Sequence, residues 1–288
     1  MLKYNPHVRR IVRLAVEEDL GTGDVTTAAT IPAEIRVEAE VLVKEAGVFC
    51  GLEVAPVVLE EVDPALEMTP VISDGADVLP GDVALRIRGP ARSMLVAERT
   101  LLNFLMRLSG IATTTRGFLK ALDGTRTTLL DTRKTTPGLR VLEKYAVRVG
   151  GARNHRLALD SGVLIKNNHL AIGGDLKDVV RRAKATAPVL CRIEVEVRTL
   201  DEARRAIEAG ADVLLLDHMD NDAIAAVVDY ADWKVLVEVS GNMTPKRAAE
   251  VAAIGVDFVS AGAITHSAPW MDLSLAMRVA TSSETPSS

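Results

Sequence analysis

The chain has 288 residues, a formal net charge of −5 and an isoelectric point near 5.6, which excludes a general basic field for holding nucleic acid. Aromatics are only 3% of a composition that is 48% hydrophobic, so the core is built from Ala, Val, Leu and Ile, and stacking on bases is not a binding mode. Cys50 and Cys191 form no C-x-x-C, which removes redox and thiolate-zinc motifs and leaves both as expected buried thiols.

The N-terminus, MLKYNPHVRRIVRLAVEEDLG, carries charges through its apolar pattern, and no apolar run approaches a membrane span. A cytoplasmic, reducing location with no membrane partner is therefore expected. Next, IRVEAEVLV alternates at period two and GADVLPGDVALRIRG reads as two short strands around a Pro-Gly turn, a small α+β unit. Between them, VVLEEVDP resembles the diphosphate-sugar motif of common phosphoribosyltransferases. It lacks the small-residue phosphate loop that should follow, so it is assigned to the end of a surface helix. A long helix spans Ala91 to Leu122 and is apolar around most of its circumference, with Arg99, Asn103 and Arg107 as one polar stripe. An arginine buried there would need a partner.

Beyond residue 125 the texture changes to strands alternating with capped helices: TTLLDTR, VLIK, VLCRIEVEV, DVLLLD, KVLVEVSG and DFVSAG. Thr199 with Glu202 caps a helix that Gly210 ends, and Thr244-Pro245 opens one that Gly255 closes. This is the pattern of a parallel sheet closing into a barrel, with six clear strands and room for a missed one between Gly150 and Leu157.

The strands end in Arg133 and Lys134, Lys166, Glu196, Asp217, Ser240 and Gly241, then Gly262. In parallel barrels those ends converge on the face where active sites are built. Arg133, Lys134, Lys166 and the pair His155-Arg156 exceed what one carboxylate requires, so a ligand with several anionic groups is expected. Glu196 and Asp217 suit Mg²⁺. Glycines 241 and 262 allow close approach of backbone N–H groups to phosphate. Alone, RIEVEV is equally an alternating edge strand, and His169 and His218 read as structural histidines.

Taken together and in order, EDLGTGDVTT, DTRKTTPGLR, GGARNHRLALDSGVLIKNNH, IEVEV, VLLLD, EVSGNMT and SAGAITHSAP resemble quinolinate phosphoribosyltransferase from about Glu18 to Leu275. The resemblance implies an N-terminal α/β sandwich over residues 1–112, with a C-terminal helix 275–288 returning to it, and an open seven-stranded α/β barrel over 113–274. It implies Mg²⁺-assisted transfer of phosphoribosyl from phosphoribosyl pyrophosphate to quinolinate with loss of CO₂, giving nicotinate mononucleotide, in a homodimer with shared active sites.

Carried over by position, Arg133, His155, Arg156 and Lys166 match the quinolinate-binding cations, and Lys134 the phosphate pocket. Glu196 and Asp217 match the acids near ribose and metal, and Ser240-Gly241 and Gly262 to His266 the phosphate turns. Arg107 matches an arginine reaching into the partner subunit's site. Asn167 and His218 depart from the family's usual acid and asparagine. Two alternatives remain, a paralogue for another heterocyclic acid and a non-catalytic phosphosugar-binding protein.

Overall fold

A computed structural model describes residues 2–280. The chain divides into two compact units, Met1–Thr113 with Pro269–Ser288, and Thr114–Ala268. In chain order the first unit opens with α1 (Pro6–Leu20), α2 (Val25–Thr30), β1 (Arg36–Val43), β2 (Gly47–Val48) and α3 (Ala55–Val62). It continues with β3 (Glu67–Pro70), β4 (Asp77–Val78), β5 (Val83–Pro90) and α4 (Ala91–Lys120), whose last turns belong to the second unit. The second unit holds β6 (Thr128–Leu130), α5 (Arg140–Val149), β7 (Val163–Ile165), α6 (Asn167–Gly173), α7 (Leu176–Thr186), β8 (Ile193–Val197) and α8 (Leu200–Ala209). It ends with β9 (Val213–Asp217), α9 (Asn221–Ala231), β10 (Leu236–Ser240), α10 (Pro245–Ile254), β11 (Phe258–Ser260) and α11 (Ala263–His266), before β12 (Leu273–Val279) returns to the first unit.

The first unit is an α/β sandwich around an antiparallel sheet of order β12-β1-β5-β3. The period-two pattern of β1 buries Val37, Ala39, Val41 and Val43 and turns Glu38 and Glu40 outward. There Glu38 meets Arg88 at 2.7 Å and Arg278 at 2.9 Å, and Glu40 meets Arg86 at 2.8 Å. Such exposed pairs add little to stability, because solvent screens them. The segment VVLEEV forms α3, with Glu60 exposed at its end.

Three expectations are corrected here. The segment expected as a helix over 275–288 is strand β12 as far as Val279, pairing antiparallel with β1; residues 281–288 lie outside the described ones. Residues 269–274, placed with the barrel, belong to the first unit. Alternating burial, which a strand needs, is carried by Leu273, Leu275 and Met277. The stripe on α4 is not buried, because Arg99 and Asn103 are exposed and Arg107 is half-buried. No helix of the described residues is long and apolar enough to cross a membrane.

The second unit is the open barrel. Its parallel sheet has the order β6-β11-β10-β9-β8-β7. Among the described residues six strands are therefore formed where seven were expected; inside the stretch left open by the sequence there is a single parallel bridge, of Arg153 to Leu130 at the end of β6. One face of these strands is uniformly apolar, and Val195, Val197, Leu214, Leu216, Val237, Val239 and Val259 are all at most 3% exposed. Burial of each is worth about 1.5–3 kcal/mol. The other face carries the charges. Strand β8 has neighbours on both sides and all five residues buried, so RIEVEV is a central strand and not an edge. The expected caps form: Thr199 Oγ1 accepts from Glu202 N–H, and Gly210 and Gly255 end their helices at φ 97° and 99°.

Candidate active site

The loop Asp131–Leu139 is held from below. Asp131 is fully buried and ion-paired with Lys144 of α5, and it also accepts from Asn154 Nδ2 at 2.6 Å and from His155 N–H at 2.8 Å. Lys144 Nζ in turn donates to the His155 carbonyl at 3.0 Å. Burial pushes the Asp131 carboxyl up and the Lys144 amine down, against their mutual attraction. Buried Glu143 accepts from Thr136 N–H at 3.1 Å and Oγ1 at 2.7 Å, folding the Thr-Thr-Pro-Gly turn onto α5. Strand β6 therefore stops in cations because its next residue is the anchor of a built loop.

Three groups of side chains result. In the first, the Nε of Arg133 is buried with no hydrogen-bond partner. Arg156 lies near enough that burial, and then the Arg133 charge, pull its pKa below the ordinary arginine value. His155 Nε2 is 3.0 Å from Glu194 Oε2 and 3.5 Å from Glu238 Oε2. Burial opposes the imidazolium, but the two acids outweigh it and its pKa is raised. Glu238 is pushed up to about 8 by burial and by Glu194, against His155 and Ser260. The three donor atoms lie within 4.8 Å of one another, a spacing that could hold a cation.

In the second group, Lys166 Nζ is 3.0 Å from Glu196 Oε2. Asp217 sits beside it on β9, with Oδ1 2.8 Å from His218 Nδ1 and Oδ2 3.7 Å from Arg198. His218 has φ 56°, and its ring covers Gly241, where a Cβ would come within 3.1 Å of it. It therefore touches a site acid, which is the hydrogen-bond partner a structural histidine would have. His169 is structural, its Nδ1 accepting the Lys166 N–H at 2.9 Å.

In the third group, a Cβ on Gly262 would meet Lys134 Cδ at 2.9 Å and the His266 ring at 3.1 Å, so glycine lets these two side chains close over the turn. Thr265 Oγ1 donates to the Lys134 carbonyl at 2.9 Å, fixing that arrangement. Ser240 pairs with Asp217 in register and so stands at the same strand-end level.

The sequence left Glu194 undecided and passed over Glu238, Asp131, Lys144 and Asn154. Glu238 had a signal, a lone acid inside the apolar run VLVEV. Lys144 had none, since a lysine on a helix is ordinarily solvated. Cys191 is half-buried, not buried as expected.

Glu238 has a folded-state pKa above its ordinary 4.5, so the native state binds the extra proton. The stability this gives is complete below pH 4.5 and is lost as pH rises toward about 8. Melting temperature is expected to fall over that window, and Glu238→Gln should flatten the fall. A decline of unchanged slope in the variant would mean that another group carries it.

Comparison with known proteins decides the family. Residues 24–109 match the family model for the quinolinate phosphoribosyl transferase N-terminal domain, and residues 111–276 match that for its C-terminal domain. The chain belongs to the quinolinate phosphoribosyltransferase family. It is 41% identical over 273 residues to the nicotinate-nucleotide pyrophosphorylase (carboxylating) of Mycobacterium leprae, covering 93% of this chain and 96% of that one. The solved nicotinate-nucleotide pyrophosphorylase of Francisella tularensis superposes with a TM-score of 0.89 at 40% identity, covering 95% of this chain and 97% of the other. NadC of Streptococcus pyogenes gives 0.91 at 36% identity, with 95% and 97% covered.

Proposed function

We propose that the chain transfers the phosphoribosyl group of phosphoribosyl pyrophosphate to quinolinate, with release of pyrophosphate and CO₂, giving nicotinate mononucleotide for NAD synthesis. The observation that carries this is the buried, unpartnered Nε of Arg133 beside a second guanidinium, Arg156. Two like charges kept together with a donor unsatisfied cost stability in the free protein, and a dianion repays that cost. Adjacent carboxylates on one ring match paired guanidinium forks.

Lys166 adds to the field at this end and keeps Glu196 aligned. Glu196 and Asp217 face the anomeric carbon and stabilise the positive charge of an oxocarbenium-like state. Lys134 and His266, with the backbone of Ser240, Gly241 and Gly262, receive the phosphate and the departing diphosphate. Two carboxylates on adjacent strands fit Mg²⁺, which takes one or two protein carboxylates and completes its shell with water and phosphate oxygens. When bound, Mg²⁺ offsets the negative charge that gathers on the leaving diphosphate. No covalent nucleophile is required. After transfer the ring nitrogen is cationic, and that charge stabilises the electron pair that the breaking C–C bond leaves on the adjacent ring carbon as CO₂ departs; a proton from water then completes that carbon.

The direct test measures nicotinate mononucleotide formed from quinolinate and phosphoribosyl pyrophosphate, with and without Mg²⁺, with nicotinate as control acid. Metal-dependent product from quinolinate alone is expected. Product from nicotinate would point to a paralogue, and sugar binding without turnover to a non-catalytic protein.

We also infer a cytoplasmic homodimer in which Arg107 of one copy serves the site of the other. Mixing Arg107→Ala with Lys166→Ala chains should restore activity that neither has alone. Mixtures as inactive as their parents would remove Arg107 from a shared site.

A further inference from the structure

Glu194 and Glu238 have no part in the steps above. They are 7% and 2% exposed on the inner face of β8 and β10, where a parallel barrel ordinarily carries Val, Ile or Leu. Burying carboxyls there is costly. Such a cost persists where the groups have a task.

His155 shows what the task is. Its Nε2 points to Glu194 at 3.0 Å and Glu238 at 3.5 Å, and its Nδ1 accepts the backbone N–H of Arg156 at 2.7 Å. Its own N–H donates to Asp131 at 2.8 Å, and its carbonyl accepts from Lys144 at 3.0 Å. Every polar group of His155 is therefore committed within the protein. The donor at Nε2 is directed into the barrel, and the nitrogen nearer the chain is spent on the next residue's amide. That second bond fixes how the backbone enters Arg156, whose guanidinium donates onward to the Gly162 carbonyl at 3.3 Å.

We infer that Glu194 and Glu238 are positioning residues that clamp the His155 imidazole, so that its Nδ1 sets the backbone of Arg156 and Arg156, not His155, meets the dicarboxylate. The inference rests on the proposed reading of the substrate. Glu194 is the acceptor of the clamp. Glu238 stands 3.5 Å from the same Nε2 and is hydrogen-bonded to Ser260 and to Glu194, which makes it the second wall of the clamp. The two acids thus serve the cation pocket through the ring they hold.

The test compares Glu194→Ala with Glu194→Gln by steady-state kinetics, together with ¹⁵N NMR of the His155 ring in the full chain. Alanine removes the acceptor, and glutamine keeps a carbonyl oxygen that accepts from Nε2. Glu194→Ala should raise KM for quinolinate by roughly tenfold or more, the loss of one charge-assisted hydrogen bond, while KM for phosphoribosyl pyrophosphate stays near wild type. Glu194→Gln should recover most of that loss. In the free wild-type protein NMR should show Nε2 protonated and Nδ1 accepting, with the Nδ1 signal unmoved by quinolinate and altered in Glu194→Ala.

Equal rises in both KM values, no rescue by glutamine, or an Nδ1 signal that shifts strongly on adding quinolinate would each overturn the clamp. So would a stoichiometric divalent metal retained by the purified wild type and lost in Glu194→Ala, which would make the three side chains a cation site. Wild-type protein that ignores quinolinate would instead defeat the substrate assignment, and the NMR of the free protein would still decide the clamp.

Discussion

Arg133→Ala is expected to raise the KM for quinolinate about 100-fold, the equivalent of one to two hydrogen bonds to a charged group, with little change in KM for phosphoribosyl pyrophosphate. The reason lies in the free protein. The Arg133 Nε is already stripped of water and has no partner, so its desolvation is complete before the ligand arrives and the bond it forms is nearly all gain. Arg133→Lys should recover only part of the loss, because an ammonium cannot present two parallel donors to a carboxylate. Arg133→Ala gives an independent reading. Removing a cation that burdens Arg156 should leave melting temperature unchanged or slightly higher, as expected where function is maintained against stability. An unchanged KM for quinolinate in Arg133→Ala would take this residue out of the dicarboxylate site.

Lys144→Met is expected to be the most destabilising single change in the barrel unit, at about 3–5 kcal/mol. Methionine roughly fills the volume but leaves the fully buried Asp131 without its counter-charge. Asp131 also organises Asn154 and His155, so the loss spreads to the segment that carries them. Replacing both partners, as Asp131→Asn with Lys144→Met, should cost much less than the two single changes added, since no uncompensated charge then remains. Urea unfolding of the three variants tests this. A cost below about 1 kcal/mol for Lys144→Met would mean that water reaches Asp131 and the pair is no anchor. Activity should fall with the anchor even where the variant is folded, because Asp131 opens the loop that carries Arg133 two residues on and also holds the His155 backbone.

The sequence by itself determined the local grammar of this protein. The caps at Thr199 and Thr244 and the stops at Gly210 and Gly255 depend on groups within four residues, so they were readable and they formed as read. The apolar face of each barrel strand was equally plain, since Val195, Val197, Leu214 and Leu216 can only be buried under helices. Cations at the ends of β6 and β7 were visible for the same reason, being polar residues where an apolar run stops.

What the strands do to one another was decided by tertiary structure. The register that sets Glu196 beside Leu215, and Leu215 beside Glu238, is a property of pairing and not of any one strand. That is why IEVEV looked as much like an edge as a core, and why Glu238 went unnoticed. The helix expected over 275–288 came from the resemblance alone, and the pairing of this segment with β1 makes it a strand as far as Val279. The exposure of Arg99 and Asn103 was hidden too, since an apolar helix announces burial but not which side is left open. Above all, Lys144 became an anchor because Asp131 is buried against it 13 residues away, and the value of a charge depends on the dielectric around it, which only the folded chain supplies.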